Sequence, residues 1–179
     1  MGKVTRRCTL LGLAGVVLGA LAILAAPGQA RAQEDLEYLG THRDWHAFTY
    51  MENGNRVCYI ASRPTRDEGN YTRRGDIFML VTHRPAENTR DVVSIITGYT
   101  FQPDSEAEVT VGTQQFRLFT SNDTAWAYDA DDDRRIVQAM IQGSTMVVRG
   151  TSNRGTRTTD TYSLLGFTAA HNQIDELCR

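Results

Sequence analysis

The sequence contains a single lysine, Lys3, among 179 residues. Every other permanent cation is an arginine. That absence excludes a glycine-rich phosphate loop of the kind whose lysine must reach the β- and γ-phosphates. Cysteine is scarce too, at three residues, and no pair has the close spacing of a zinc site. Neither HExxH nor G-x-S-x-G occurs, and there is no internal repeat or low-complexity tract. Long apolar runs are missing as well, except at the N-terminus.

The exception is residues 8–26, CTLLGLAGVVLGALAILAA, preceded by the basic MGKVTRR and followed by Pro27 and Ala30-Arg31-Ala32. This is the layout of a secretory signal peptide, with cleavage expected after Ala32. The alternative is an uncleaved anchor in the inner membrane, because such a run is just long enough to span a bilayer. Arg6-Arg7 admits a twin-arginine route, and an ordinary basic start accounts for the pair equally. Residues 33–179 then form one domain with no further membrane span. Cleavage removes four of the 19 basic residues and none of the 21 acidic ones, leaving a net charge near −6. An acidic domain argues against nucleic acid as a partner.

Of the cysteines, Cys58 and Cys178 stay with the domain. In an exported chain they most simply pair, closing a loop of 120 residues; a reactive thiol or an intermolecular bridge are the alternatives.

The apolar runs Ile77–Val81 and Val92–Ile96 are rich in β-branched and aromatic residues and are separated by a polar loop containing Pro85 and Asn88. Both are apolar on alternate positions of either face, which predicts central strands covered on both sides. Asn53-Gly54 between DWHAFTYM and RVCYIAS predicts a hairpin, with Trp45, Ala47 and Thr49 on one face. Ala107, Val109 and Val111 point inward in a second hairpin that turns at Gly112-Thr113. After a loop, a helix capped by Asp131 or Asp132 carries Ile136, Val137, Met140 and Ile141 on one face and ends at Gly143. Two strands follow, the threonine-rich one at 156–161 reading as an edge strand. A C-terminal helix capped by Thr168 ends the chain. Residues 33–43 read as a loose lead. The sum is an all-β domain, a β-sandwich or partly open barrel of about eight short antiparallel strands. Of its two short helices, one precedes the last strand pair and one is C-terminal.

Candidate sites are few. Residues 63–75 read as a long loop holding Arg63, Arg66, Arg73 and Arg74 with Tyr71 against only Asp67 and Glu68. Arginine forks grip carboxylates and sulfates, so this is a candidate interaction surface for an anion or glycan; a solvated loop with internal ion pairs is the alternative. Asp129, Asp131 and Asp133 match the start of a calcium loop. The match fails at Arg134, where glycine is required, and at Met140, where a bidentate glutamate is required. No metal or other cofactor is expected. His42 and His46 lie in an extended segment, about 13 Å apart, too far to share a ligand. His83 ends the first central run, where it can orient a carboxylate or serve structurally. Trp45 and Trp126 suit the core or an interface.

Taken in order, CYIAS at 58–62, YTRRGDIFMLVTHRP at 71–85, DVVSIITGY at 91–99, FTSNDTAWA at 119–127, the stretch 143–170 and Cys178 resemble the invasion-associated locus B (IalB) family of exported bacterial proteins. The resemblance implies a bacterial envelope setting and a link, in the family's name, to host-cell invasion. It carries no catalytic motif. The expected function is a non-catalytic periplasmic or secreted binding module, its partner an unidentified envelope or host-surface protein or glycan. The alternatives are a secreted adhesion or virulence factor, and a hydrolase whose His83 or His171 meets an acid only in space.

Overall fold

The computed structural model describes residues 36–179, so the signal segment and its cleavage point lie outside the described residues. Eleven strands form one antiparallel sheet. In chain order they are β1 (Glu37–His42), β2 (Trp45–Glu52), β3 (Asn55–Ser62), β4 (Arg66–Gly69), β5 (Phe78–Arg84), β6 (Thr89–Ile96), β7 (Glu106–Val111), β8 (Gln114–Ser121), β9 (Thr124–Trp126), β10 (Thr145–Thr151) and β11 (Arg157–Ser163). Helix α1 (Ala130–Gln142) precedes the last strand pair, and α2 (Phe167–Leu177) closes the chain. The order across the sheet is β1-β2-β3-β5-β6-β9-β8-β7-β10-β11-β4, and it does not close.

Chain connectivity forces the sheet to roll. β3 is third in the order and β4 last, yet the link from Ser62 to Arg66 spans at most about 14 Å. The far end of the sheet must therefore swing round toward β3. The hydrogen bonds agree: Thr65 N donates to Thr161 O at 2.8 Å and Trp45 Nε1 to Ser163 O at 3.0 Å. The inner face of the roll holds Trp45, Ile60, Met79, Ile95, Leu118 and Met146, all fully buried. α1 covers it at β6, and α2 covers it at β2 and β3.

The two expected hairpins are present in register, Asn53 (φ 51°) and Gly54 (φ 81°) forming the first turn. Other expectations need correction. Eleven strands replace about eight because three were too short or too polar to read. β1 occupies most of the expected lead, held along β2. β4 lies inside the expected loop, and β9 is three residues long. β5 and β6 are central, but β5 is fully covered on one face only: Met79, Val81 and His83 are buried, whereas Phe78, Leu80 and Thr82 are half-exposed; in β6, Val93, Ser94 and Ile95 are all buried. The threonine-rich β11 is not an edge strand. β4 covers it, and its inward residues Thr158, Asp160 and Tyr162 are buried. Asp129, not Asp131 or Asp132, caps α1, accepting from the N–H groups of Asp131 and Asp132. α2 starts at Gly166 (φ 91°) with no side-chain cap, so Thr168 plays no such part. Gly166 packs against the His42 carbonyl so closely that a Cβ there would lie 1.9 Å from its oxygen.

Candidate functional site

The stretch from Asn70 to Gly75 and the loop Gly98–Thr100 meet the turn between β10 and β11 across a cleft of about 650 Å³. Glycine permits the meeting. Gly75 N donates to Gly98 O at 2.9 Å, and a Cβ on Gly98 would lie 2.5 Å from the Gly75 carbonyl. The two backbones therefore touch with no side chain between them.

Behind the cleft lies an ion pair. Arg74, 4% exposed, forks Asp160, 1% exposed, through two bonds of 2.6 Å, and its Nε donates to Thr97 O at 2.6 Å. Burial works to lower the Arg74 pKa, but the Asp160 bonds and charge more than offset it and leave it raised. The rings of Tyr71 and Tyr99 flank the guanidinium at 5.6 and 5.0 Å. Tyr99 also shares a 2.7 Å hydrogen bond with Thr158. The Arg74 side chain thus has its charge neutralised and its fork occupied. It shapes the cleft and offers no fork to a ligand.

Arg73, before β5, and Arg154, in the turn between β10 and β11, are exposed, and neither side chain has an ion-pair or hydrogen-bond partner among the described residues. No carboxylate lines the cleft. The five residues of the expected arginine surface therefore separate. Tyr71, Arg73 and Arg74 line this cleft. Arg63 lies over the Phe78 ring at 4.3 Å and pairs with Asp76, beside a separate groove of about 290 Å³. Arg66 pairs loosely with Glu68 on β4 at 3.5 Å. Arg154, Asn153 and Thr100 had no marker in the sequence. They come from segments some 25 to 80 residues away, which only the rolled sheet brings together.

A second cluster surrounds the C-terminal helix. Cys58 on β3 is bonded to Cys178, with Cα atoms 6.1 Å apart. Beside it β6 carries an extra residue: Arg90 and Asp91 face the single His83 of β5, with Asp91 at φ 60°. The bulge turns the Asp91 N–H onto His83 Nδ1 at 3.0 Å and its carboxylate onto His171 Nε2 at 2.7 Å. Asp175 adds contacts to His83 Nε2 at 3.1 Å and Arg90 at 3.0 Å. Burial lowers the His83 pKa against the pull of Asp91 and Asp175. At Asp91 burial acts upward, but the His171 hydrogen bond, with Arg90 nearby, holds the carboxyl below its ordinary range.

Three ligand-type atoms of His83, Asp91 and His171 lie within 4.8 Å of one another. They do not fit a metal ion. His83 Nδ1 accepts a peptide N–H, so the neutral ring keeps its proton on Nε2 and has no lone pair to give. Nor is a nucleophile placed here. Among the described residues neither histidine is hydrogen-bonded to a hydroxyl, and the nearby cysteines are joined to each other. The cluster is a clasp that holds α2 to the sheet.

These features define a disulfide-clasped, single-sheet β domain with an arginine-bearing cleft that no carboxylate lines. No helix among the described residues is long and apolar enough to cross a membrane. The family described as Invasion associated locus B (IalB) protein matches residues 45–175, most of the chain, and the protein belongs to that family. No match is found among curated proteins or among solved structures.

Proposed function

We propose that the protein is an exported, non-catalytic binding module, processed after Ala32 and acting in the periplasm or outside the cell. Its contact surface is the cleft between Arg73 and Arg154, and its partner is an anionic component of the envelope or of a host surface. The observation that carries this reading is a pair of uncompensated arginines that two separate segments bring to one cleft, on a domain of net negative charge. The disulfide supports an oxidising compartment.

The test is capture of envelope fractions by the exported protein. Replacing Arg73 and Arg154 together with serine should abolish capture, and replacing Arg63 and Arg66 should leave it intact. Capture that survives the first pair of changes removes the cleft from the proposal. A second reading, an adhesion factor acting at the cell surface, draws on the family's link to invasion. It requires the protein to be cleaved when intact cells are treated with protease, and protection from that treatment would count against it.

A further inference from the structure

We infer that the ligand of the Arg73–Arg154 cleft is an acidic oligosaccharide, a chain of sugars bearing negatively charged groups. The inference rests on the reading of the cleft as the contact surface and narrows it to one chemistry.

The first ground is charge. Arg74 is cancelled by Asp160 at 2.6 Å, which leaves Arg73 and Arg154 as the net charge of a cleft lined by no carboxylate. Each guanidinium is free to fork one anionic group. Because the two come from different segments of the lining, a ligand that satisfies both must carry more than one charge or share one charge between them.

The second ground is the lining. With the arginines, Asn70, Thr72, Thr100, Asn153 and Thr156 line the cleft. Amides and hydroxyls both donate and accept, and that pairing matches sugar hydroxyls, which also do both. A peptide offers fewer such groups per unit length. The third ground is what the lining lacks. No aliphatic side chain, phenylalanine or tryptophan lines the cleft; its large apolar side chains are Tyr71 and Tyr99, and aromatic rings set among hydroxyls and amides suit the face of a sugar ring better than an acyl chain. Size supplies the fourth. About 650 Å³ lies within the range of sites that enclose whole ligands and greatly exceeds one inorganic anion. The back wall is held stiff by the Arg74–Asp160 fork and by Tyr99 on Thr158, which lowers the ordering cost of binding.

The experiment is a set of calorimetric titrations of the exported protein with trigalacturonate, neutral galactotriose, triglutamate and inorganic phosphate. Trigalacturonate should bind, with an affinity that falls as salt is added. Arg73→Ser and Arg154→Ser should each weaken it about ten-fold or more, the loss expected for a charge-assisted hydrogen bond. Both residues are exposed, so neither change threatens the fold. Arg157→Ser, outside the lining, should leave binding unchanged. Galactotriose, triglutamate and phosphate should each bind at least ten-fold more weakly. Equal binding of triglutamate or phosphate overturns the sugar assignment in favour of a bare charge patch, and so does trigalacturonate binding that ignores Arg154→Ser. Failure of all four probes, with envelope capture still lost in the double serine variant, overturns the sugar class alone and leaves the binding module standing. Capture that ignores the double variant removes both.

Discussion

Asp133 shows how far one buried side chain can work against the fold that holds it. It sits in the first turns of α1, 8% exposed, and accepts the Val93 N–H at 2.8 Å. β9 pairs with β6 only along Ser94–Ile96, so the carboxylate takes the place of a strand that has ended. Burial pushes its pKa up to about 6, assisted by Asp91, Asp129 and Asp132 and opposed by the Val93 bond. A carboxyl raised in the native state holds its proton while the unfolded chain releases its own. Its contribution to stability is therefore complete below about pH 4 and is lost as pH rises through about 6. Asp133→Asn keeps an acceptor for Val93 and removes the charge. Relative to wild type, it should gain roughly 1–3 kcal/mol between pH 4 and pH 7.5 in urea unfolding; parallel stability curves for the two proteins would contradict this account.

Asp91 runs the opposite way. Its lowered pKa supplies stability above the unfolded carboxyl range, and that stability is lost as pH falls through the native value. The Arg74–Asp160 pair raises a different question at the same scale, because burying ions is costly in itself. Asp160→Asn leaves an arginine that is 4% exposed without its counter-charge, and should cost about 3–5 kcal/mol. Arg74→Met combined with Asp160→Asn should cost less than the sum of the two single changes, since the groups touch. An additive result in denaturant melts would show that the pair is not coupled.

At the scale of elements, α2 and its clasp form the joint between the end of the chain and its third strand. The disulfide closes 120 residues, and chain entropy assigns such a loop about 4–5 kcal/mol, an upper figure. Cys178→Ser should lower stability by a large part of that amount and should release α2 first, seen as early amide exchange at 167–177. Exchange that stays uniform across the domain would contradict the clasp. Elements with strong local chemistry were legible in the sequence: Asn53-Gly54 as a hairpin turn and the apolar face of α1 around Ile136 and Met140. Elements set by tertiary context were not. β4 reads RDEG, wholly exposed, and is a strand only because β11 offers it a partner. β11 looks like an edge from its threonines, and its buried polar row is explained by Arg74, which lies 86 residues from Asp160. The cleft shares that limit. Tyr71 and Arg73 were visible as part of an arginine-rich stretch, but Arg154 lies in a turn whose position depends on the roll of the whole sheet.

At the scale of the molecule, the proposed function requires that the chain be exported and processed. Mass measurement of the protein isolated from its native envelope should give a chain beginning at Gln33, heavier by two hydrogens after reduction. A chain retaining residues 1–32 would favour the anchored alternative. The sheet's edge strands are poor templates for pairing: β4 is short and charged, and β1 carries an extra residue at Leu39, whose carbonyl accepts from Gln173 of α2.

The most direct test of the cleft as the contact surface is hydrogen–deuterium exchange of the exported protein with and without an extract of its native envelope. Protection should gather at residues 70–75, 98–100 and 152–158, and vanish when Arg73 and Arg154 are replaced with serine. Protection confined to the outer face of β1, β2 and β3, with those three segments unchanged, would contradict the account.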